Sequence, residues 1–238
     1  MDSNILFIRG VQYLLLLLGI SLHEAAHAWT AARRGDVTAA LLGRASLNPL
    51  RHLDPVGSVL LPFLLLAFGP LFAWPVFGWP VFGWGRPTPV VVKNLKNPWR
   101  DDILVTASGA AANLLLACLA TVGLSIAVHV LGPQARQAAY LTLLQQLGPA
   151  SRLAGFPVVF TLVQAAYVNA FLALFHLLPF PPLDGGQIAL SLLPTDWAER
   201  YSRLRPYGFS LGIFLGVCGI LSVLLLPFAI VLNLVAQL

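Results

Sequence analysis

Five uncharged stretches, residues 10–22, 55–85, 103–131, 153–183 and 206–238, dominate the chain, and the ionisable residues fall between them. Each of the last three exceeds the ~20 residues a helix needs to cross a bilayer. The first lies within a longer apolar helix expected from about Ile5. It is too long for a signal peptide and lacks a small-residue cleavage site, so it reads as a retained span. The second carries Pro62, Pro70 and Pro75, which predict a broken segment that enters the membrane and returns. Residues 134–147 predict an outer interfacial helix, and residues 187–193 a short half-helix after an Asp-Gly turn.

Composition fits that pattern: 58% of the residues are hydrophobic, 10% are charged, and the mean hydropathy is +0.81. Ordinary soluble domains do not look like this. The basic residues then orient the chain. Arg33, Arg34, Arg44 and Arg51 follow the first helix, Arg86, Lys93, Lys96 and Arg100 precede the third apolar stretch, and Arg200, Arg203 and Arg205 precede the last. If residues 56–72 return to the side they left, all eleven share the cytoplasmic face, with Arg9, Arg136 and Arg152 opposite. The expected architecture is an all-α polytopic membrane protein, one domain over residues 1–238. It has four spanning helices and one re-entrant hairpin, with both termini outside; five crossings are the alternative. The isoelectric point of about 9.7 reflects this orientation and contact with anionic lipid, and no nucleic-acid binding is expected. Cys118 and Cys218, deep in apolar segments, read as packing residues, and they provide no disulfide framework. The chain leaves no length for a soluble substrate-sorting domain.

Against this background His23-Glu24-Ala25-Ala26-His27 stands out, because ionisable groups inside a membrane are costly and functional by default. Residues i and i+4 share one helix face about 6 Å apart, so both imidazoles can reach one metal ion. Glu24 adjoins that face and can take a proton from water without being a ligand. Arg33 lies ten residues on, which sets the motif roughly 15 Å below the cytoplasmic end of its helix. A catalytic zinc normally holds three protein ligands. Of the nine acidic residues, only Glu24 and Asp184 adjoin long apolar runs without a nearby Lys or Arg. Asp184 follows Leu178-Pro179-Phe180-Pro181-Pro182-Leu183 and precedes Gly185-Gly186, where stiff and permissive residues together hold a carboxylate at an abrupt turn. The lesser alternative is that it only caps the helix that follows, over 187–193.

The His23–His27 motif, Gly109-Ala110-Ala111-Ala112-Asn113 and Pro179-Phe180-Pro181-Pro182-Leu183-Asp184-Gly185 together resemble the site-2 protease family of intramembrane zinc metalloproteases, in its short prokaryotic form. Asn48-Pro49-Leu50-Arg51-His52-Leu53-Asp54-Pro55 and Gly83-Trp84-Gly85-Arg86-Pro87 look like that group too. The resemblance implies one zinc per chain, held by His23, His27 and Asp184, with Glu24 as catalytic base. It also implies transmembrane helical proteins as substrates, and an active site toward the cytoplasmic side of a prokaryotic cell membrane.

Three features depart from the family pattern. His176 stands where the family has an asparagine; it either donates a hydrogen bond to substrate, as a neutral imidazole can, or bonds a helix carbonyl. Gly109-Ala110 replaces Gly-Pro, which straightens the helix and leaves Asn113 free to hydrogen-bond within the site. A tandem repeat, Trp74-Pro75-Val76-Phe77-Gly78 and Trp79-Pro80-Val81-Phe82-Gly83, reads as an interfacial anchor or as the border of a substrate entry route. His52 approaches a metal from its loop or, beside the helix start at Asp54-Pro55, serves local structure.

Two other classes use similar residues. A catalytically silent zinc-binding membrane protein would share the ligands but has no need of Glu24. An ion or proton translocator would relay through His, Glu and Asp, but broken helices repeated in both halves are not seen.

Overall fold

The computed structural model describes residues 3–68 and 83–237, and every regular element among them is helical. Three helices are long and apolar enough to cross a membrane: α1 (Ser3–Arg34), α4 (Pro98–Leu131) and α7 (Phe156–His176). Between the first two lie α2 (Thr38–Leu41) and α3 (Leu61–Phe68). After α4 come α5 (Pro133–Leu143) and α6 (Leu147–Ala150), and α7 is followed by α8 (Asp184–Leu192), α9 (Thr195–Ser202), α10 (Arg205–Val217) and α11 (Ile220–Gln237).

The caps explain where the long helices stop and start. α1 ends on Arg33 and Arg34, whose charges suit its C-terminal dipole, and Gly35 turns the chain at φ +114°. α4 opens with Pro98 at its first position; the Asn97 side chain accepts from the Arg100 N–H, and Asp101 Oδ2 accepts from the Asn97 N–H at 2.9 Å. With no proline after Gly109, α4 runs unbroken for 34 residues. Arg34 and Asp101 pair at 3.6 Å and tie the charged ends of α1 and α4 together.

α1, α4 and α7 pack on one another through small residues, including Ala117, Ala120, Ala166 and Ala170, around Leu124, Val128, Phe160 and Val163. Small side chains let apolar helices approach where lipid competes equally for apolar surface. The helix expected over 134–147 is found as α5 and α6, divided near Gln145 (φ +59°), and α5 lays Ala135, Ala138, Ala139 and Thr142 against the core.

Residues 35–55 and 83–94 form a loop layer at the arginine-bearing end. Asp36, fully buried, joins the two segments: it accepts from the Thr38 N–H and hydroxyl, the Val91 N–H at 2.7 Å and Asn94 Nδ2 at 3.1 Å. Burial alone would raise its pKa, but these donors outweigh it and hold the carboxyl below its ordinary value. Asp54 caps a π-helical turn, Pro55–Leu60, that leads into α3. The chain comes back beside its own departure point: Leu53 bridges Gly85, the Trp84 N–H donates to Gly57 O at 3.3 Å, and the Arg86 N–H donates to His52 O at 2.8 Å.

Several expectations change. The stretch 206–238 is not one helix; α10 and α11 meet at Cys218-Gly219, where Gly219 takes φ +77°. Cys118 and Cys218 are exposed and not core packing residues, because apolar surroundings in sequence do not distinguish a lipid-facing position from a buried one. The half-helix begins at Asp184 itself, three residues earlier than expected, and its N-cap residue is Leu183. The Trp-Pro-Val-Phe-Gly repeat lies outside the described residues except for Gly83.

Candidate active site

α1 carries His23 and His27 on one face, and their Nε2 atoms stand 3.0 Å apart. Asp184, first residue of α8, brings Oδ2 to 3.1 Å from His23 Nε2 and 3.6 Å from His27 Nε2. Two atoms held tetrahedrally by zinc at about 2.0–2.1 Å lie about 3.3 Å apart. The three edges bracket that value, so the triangle fits a metal of this size. These are the ionisable side chains that cluster with metal-ligand spacing among the described residues.

The surroundings prepare the triangle. His27 Nδ1 lies 2.8 Å from Val105 O, so Nδ1 carries the proton and Nε2 keeps its lone pair for a metal. His23 Nδ1 and Asp184 Oδ2 are buried without a hydrogen-bond partner. Gly109 gives the imidazoles their space on α4, since a side-chain carbon there would stand 2.5 Å from His27 Nε2 and 2.7 Å from His23 Nε2. Gly185 performs the same service for the turn, where a side chain would run into the Leu177 carbonyl. Asp184 caps nothing: no side-chain capping bond opens α8, and its carboxylate points to the histidines.

Glu24 stands beside the triangle and outside it. Its Oε2 accepts from the Thr88 backbone N–H at 2.7 Å, and the Thr88 hydroxyl donates to the Glu24 carbonyl at 3.0 Å. Thr88 is a residue the sequence reading missed. The legible signal was Pro87-Thr88-Pro89, where prolines on both sides leave one N–H in three residues.

A cleft of about 520 Å³ opens onto the triangle, Glu24, Thr88 and His176. His176, last residue of α7, puts Nδ1 3.6 Å from Asp184 Oδ2, and its ring centre lies 4.0 Å from that of His23. It borders the triangle without joining it. Asn113 is fully buried one turn beyond Gly109; both its amide atoms lack partners, and it does not line the cleft. His52 is structural: its Nε2 lies 2.7 Å from Ser46 O, its carbonyl accepts from Arg86, and it does not line the cleft.

A helical membrane protein that gathers two imidazoles and a carboxylate in one triangle, with a second carboxylate alongside, carries the donor set of a metallohydrolase. The chain belongs to peptidase family M50, the family of the site-2 proteases, whose model matches residues 73–218 and so includes Asn113 and Asp184. It is 34% identical over 212 residues to "Putative zinc metalloprotease YwhC" of Bacillus subtilis, covering 89% of this chain and 82% of that one. It is also 36% identical over 106 residues to "Putative zinc metalloprotease Rip2" of Mycolicibacterium smegmatis, covering 43% of this chain and 35% of that one. No solved structure matches it. The protein is a membrane metalloprotease.

Proposed function

We propose that the chain is a single-domain intramembrane zinc endopeptidase of a prokaryotic cell membrane, cutting peptide bonds within or near transmembrane segments of other proteins. The triangle of His23, His27 and Asp184 with Glu24 held beside it carries this reading. The fit to tetrahedral zinc supports one ion per chain, bound by residues from α1 and α8. Bound there, zinc supplies Lewis acidity, polarising a carbonyl and making a water proton removable near neutral pH.

The remaining steps fall to the chain's own residues. Glu24, aimed by the Thr88 N–H, accepts the proton of the attacking water and returns it to the leaving amine. His176, on the cleft wall, donates a hydrogen bond to the substrate carbonyl region. The substrate helix unwinds first, because its own hydrogen bonds bury the scissile carbonyl, so helix-destabilising residues favour cleavage. The paired ends of the 54–84 segment support re-entry from the arginine-bearing face, taken as cytoplasmic. α10 and α11 together complete the last membrane passage.

The deciding experiment uses full-length purified protein and a model transmembrane substrate. Wild type carries about one zinc and cleaves. Glu24→Gln keeps the metal and loses roughly 10²-fold or more in rate, whereas His23→Ala, His27→Ala and Asp184→Ala lose metal. Turnover of Glu24→Gln near wild type overturns the mechanism, and full zinc in Asp184→Ala removes that residue from the ligands.

A further inference from the structure

Asp102 is the acidic residue of the cleft that neither the metal triangle nor the base accounts for. It lies on the first turns of α4, is only 8% exposed, and lines the same cleft as Glu24 and Asp184. One oxygen, Oδ2, accepts from the Ser191 hydroxyl at 2.8 Å, and Ser191 is itself fixed through its carbonyl, which accepts from the Trp99 indole N–H at 2.6 Å. The neighbouring Asp101 takes the cation within reach, Arg34. Among the described residues Asp102 has no cationic partner. A carboxylate this deeply buried is costly unless a positive group comes to it.

Its position relative to the chemistry is set by α4. Asp102 and Gly109 are seven residues apart, about 10.5 Å along the axis and nearly on the same face, and Gly109 is the residue in contact with both metal-facing imidazoles. An unwound substrate advances about 3.3 Å per residue. A substrate strand lying along α4 in this cleft would bring a side chain about three residues from the scissile bond to Asp102, on the side of the arginine-bearing face. Membrane proteins carry their lysines and arginines on that flank.

We propose that Asp102 is a specificity-determining residue that selects substrates with a lysine or arginine about three residues to the cytoplasmic side of the cleaved bond. This rests on the endopeptidase reading above. Ser191 holds the carboxylate in place, and the substrate cation supplies the missing partner. A charge-assisted bond of this kind is worth about a tenfold preference or more.

The test scans one lysine, against alanine and glutamate, through positions two to five from the cleavage site of a model transmembrane substrate, with full-length zinc-loaded protein. For wild type, kcat/KM with lysine exceeds that with alanine by about tenfold at one position near the third. In Asp102→Asn that ratio falls to about one, and Asp102→Lys favours glutamate over lysine. Ser191→Ala, which keeps the charge but frees the carboxylate, lowers the lysine preference without abolishing it. A lysine-to-alanine ratio unchanged in Asp102→Asn, or rates reduced equally for both peptides, overturns the proposal and leaves Asp102 a tie between α4 and α8. Binding of the same peptides to Glu24→Gln, with and without Asp102→Asn, reads the preference without turnover. Absence of cleavage by wild type would thus defeat the endopeptidase reading, while the binding ratio still decides Asp102.

Discussion

The backbone N–H of Thr88 donates to Glu24 Oε2 at 2.7 Å, so the carboxylate beside the metal triangle is aimed by a loop peptide and not by another ionisable side chain. A second bond, from the Thr88 hydroxyl to the Glu24 carbonyl at 3.0 Å, docks the same loop on α1. The donor that matters is therefore one that most substitutions at position 88 leave intact.

That separates two variants. Thr88→Ala keeps the N–H and loses the hydroxyl bond, with an expected cost of about tenfold or less in turnover. Thr88→Pro removes the N–H within an already proline-flanked extended segment, and about 10²-fold or more should be lost as the base leaves its aligned position. Zinc content, measured alongside, should stay near one ion in both, since the hydrogen bonds of Thr88 go to Glu24 and not to the triangle. Equal losses in the two variants would show that the loop acts through docking alone.

The sequence made much of the site legible and much of its support invisible. His23 and His27 were readable because a helix repeats every 3.6 residues, and Asp184 because a carboxylate after prolines and before glycines in an apolar chain is expensive. Gly109 is visible in sequence only as part of a motif, since nothing local reveals that two imidazoles from another helix occupy the space of its missing side chain. Thr88 and Asp102 act across 64 and 89 residues of sequence, on Glu24 and with Ser191, and only the docking of the 83–94 loop on α1 and of α8 on α4 brings those partners together. The three long helices were visible in hydropathy; the break at Gly219 was not, because a single glycine in an apolar run carries no sign of the backbone angle it adopts. Cys118 and Cys218 mark the same boundary: hydropathy reports the membrane, not which side of a helix faces it.

His176 offers a test of replacement chemistry. Its Nδ1 lies 3.6 Å from Asp184 Oδ2 on the cleft wall, close enough to serve substrate and outside the triangle that fits a metal. His176→Asn should keep substantial activity, because an amide also donates, and His176→Ala should lose roughly 10²-fold in rate. Zinc content should hold in both. Loss of zinc in both would make His176 a further ligand, and unchanged turnover in His176→Ala would reduce it to a helix-end residue.

The return of the chain at Gly85 beside Leu53 predicts the sidedness of the loop layer. If residues 54–84 enter and leave by one face, then single cysteines at positions 50, 93 and 203 should all label from the cytoplasmic side, as the arginine distribution requires. Leu50 is the better probe of the first loop: it is 74% exposed, whereas Arg44 is buried, with its guanidinium donating to the Arg51 carbonyl. Lys93 and Arg203 are exposed. The background must be Cys118→Ser with Cys218→Ser, because both native cysteines are exposed and would react with a membrane-permeant reagent. Labelling of position 93 from outside, with position 50 still cytoplasmic, would make residues 54–84 a full crossing. It would also move Thr88 and the residues up to Arg100 to the far face, away from Arg34. The hydrogen bonds from Val91 and Asn94 to Asp36, directly after α1, oppose that outcome: they join the two loops on one side. Asp36→Ala, which removes these acceptors, should therefore loosen the layer and speed labelling at position 93 without changing the side from which the reagent arrives.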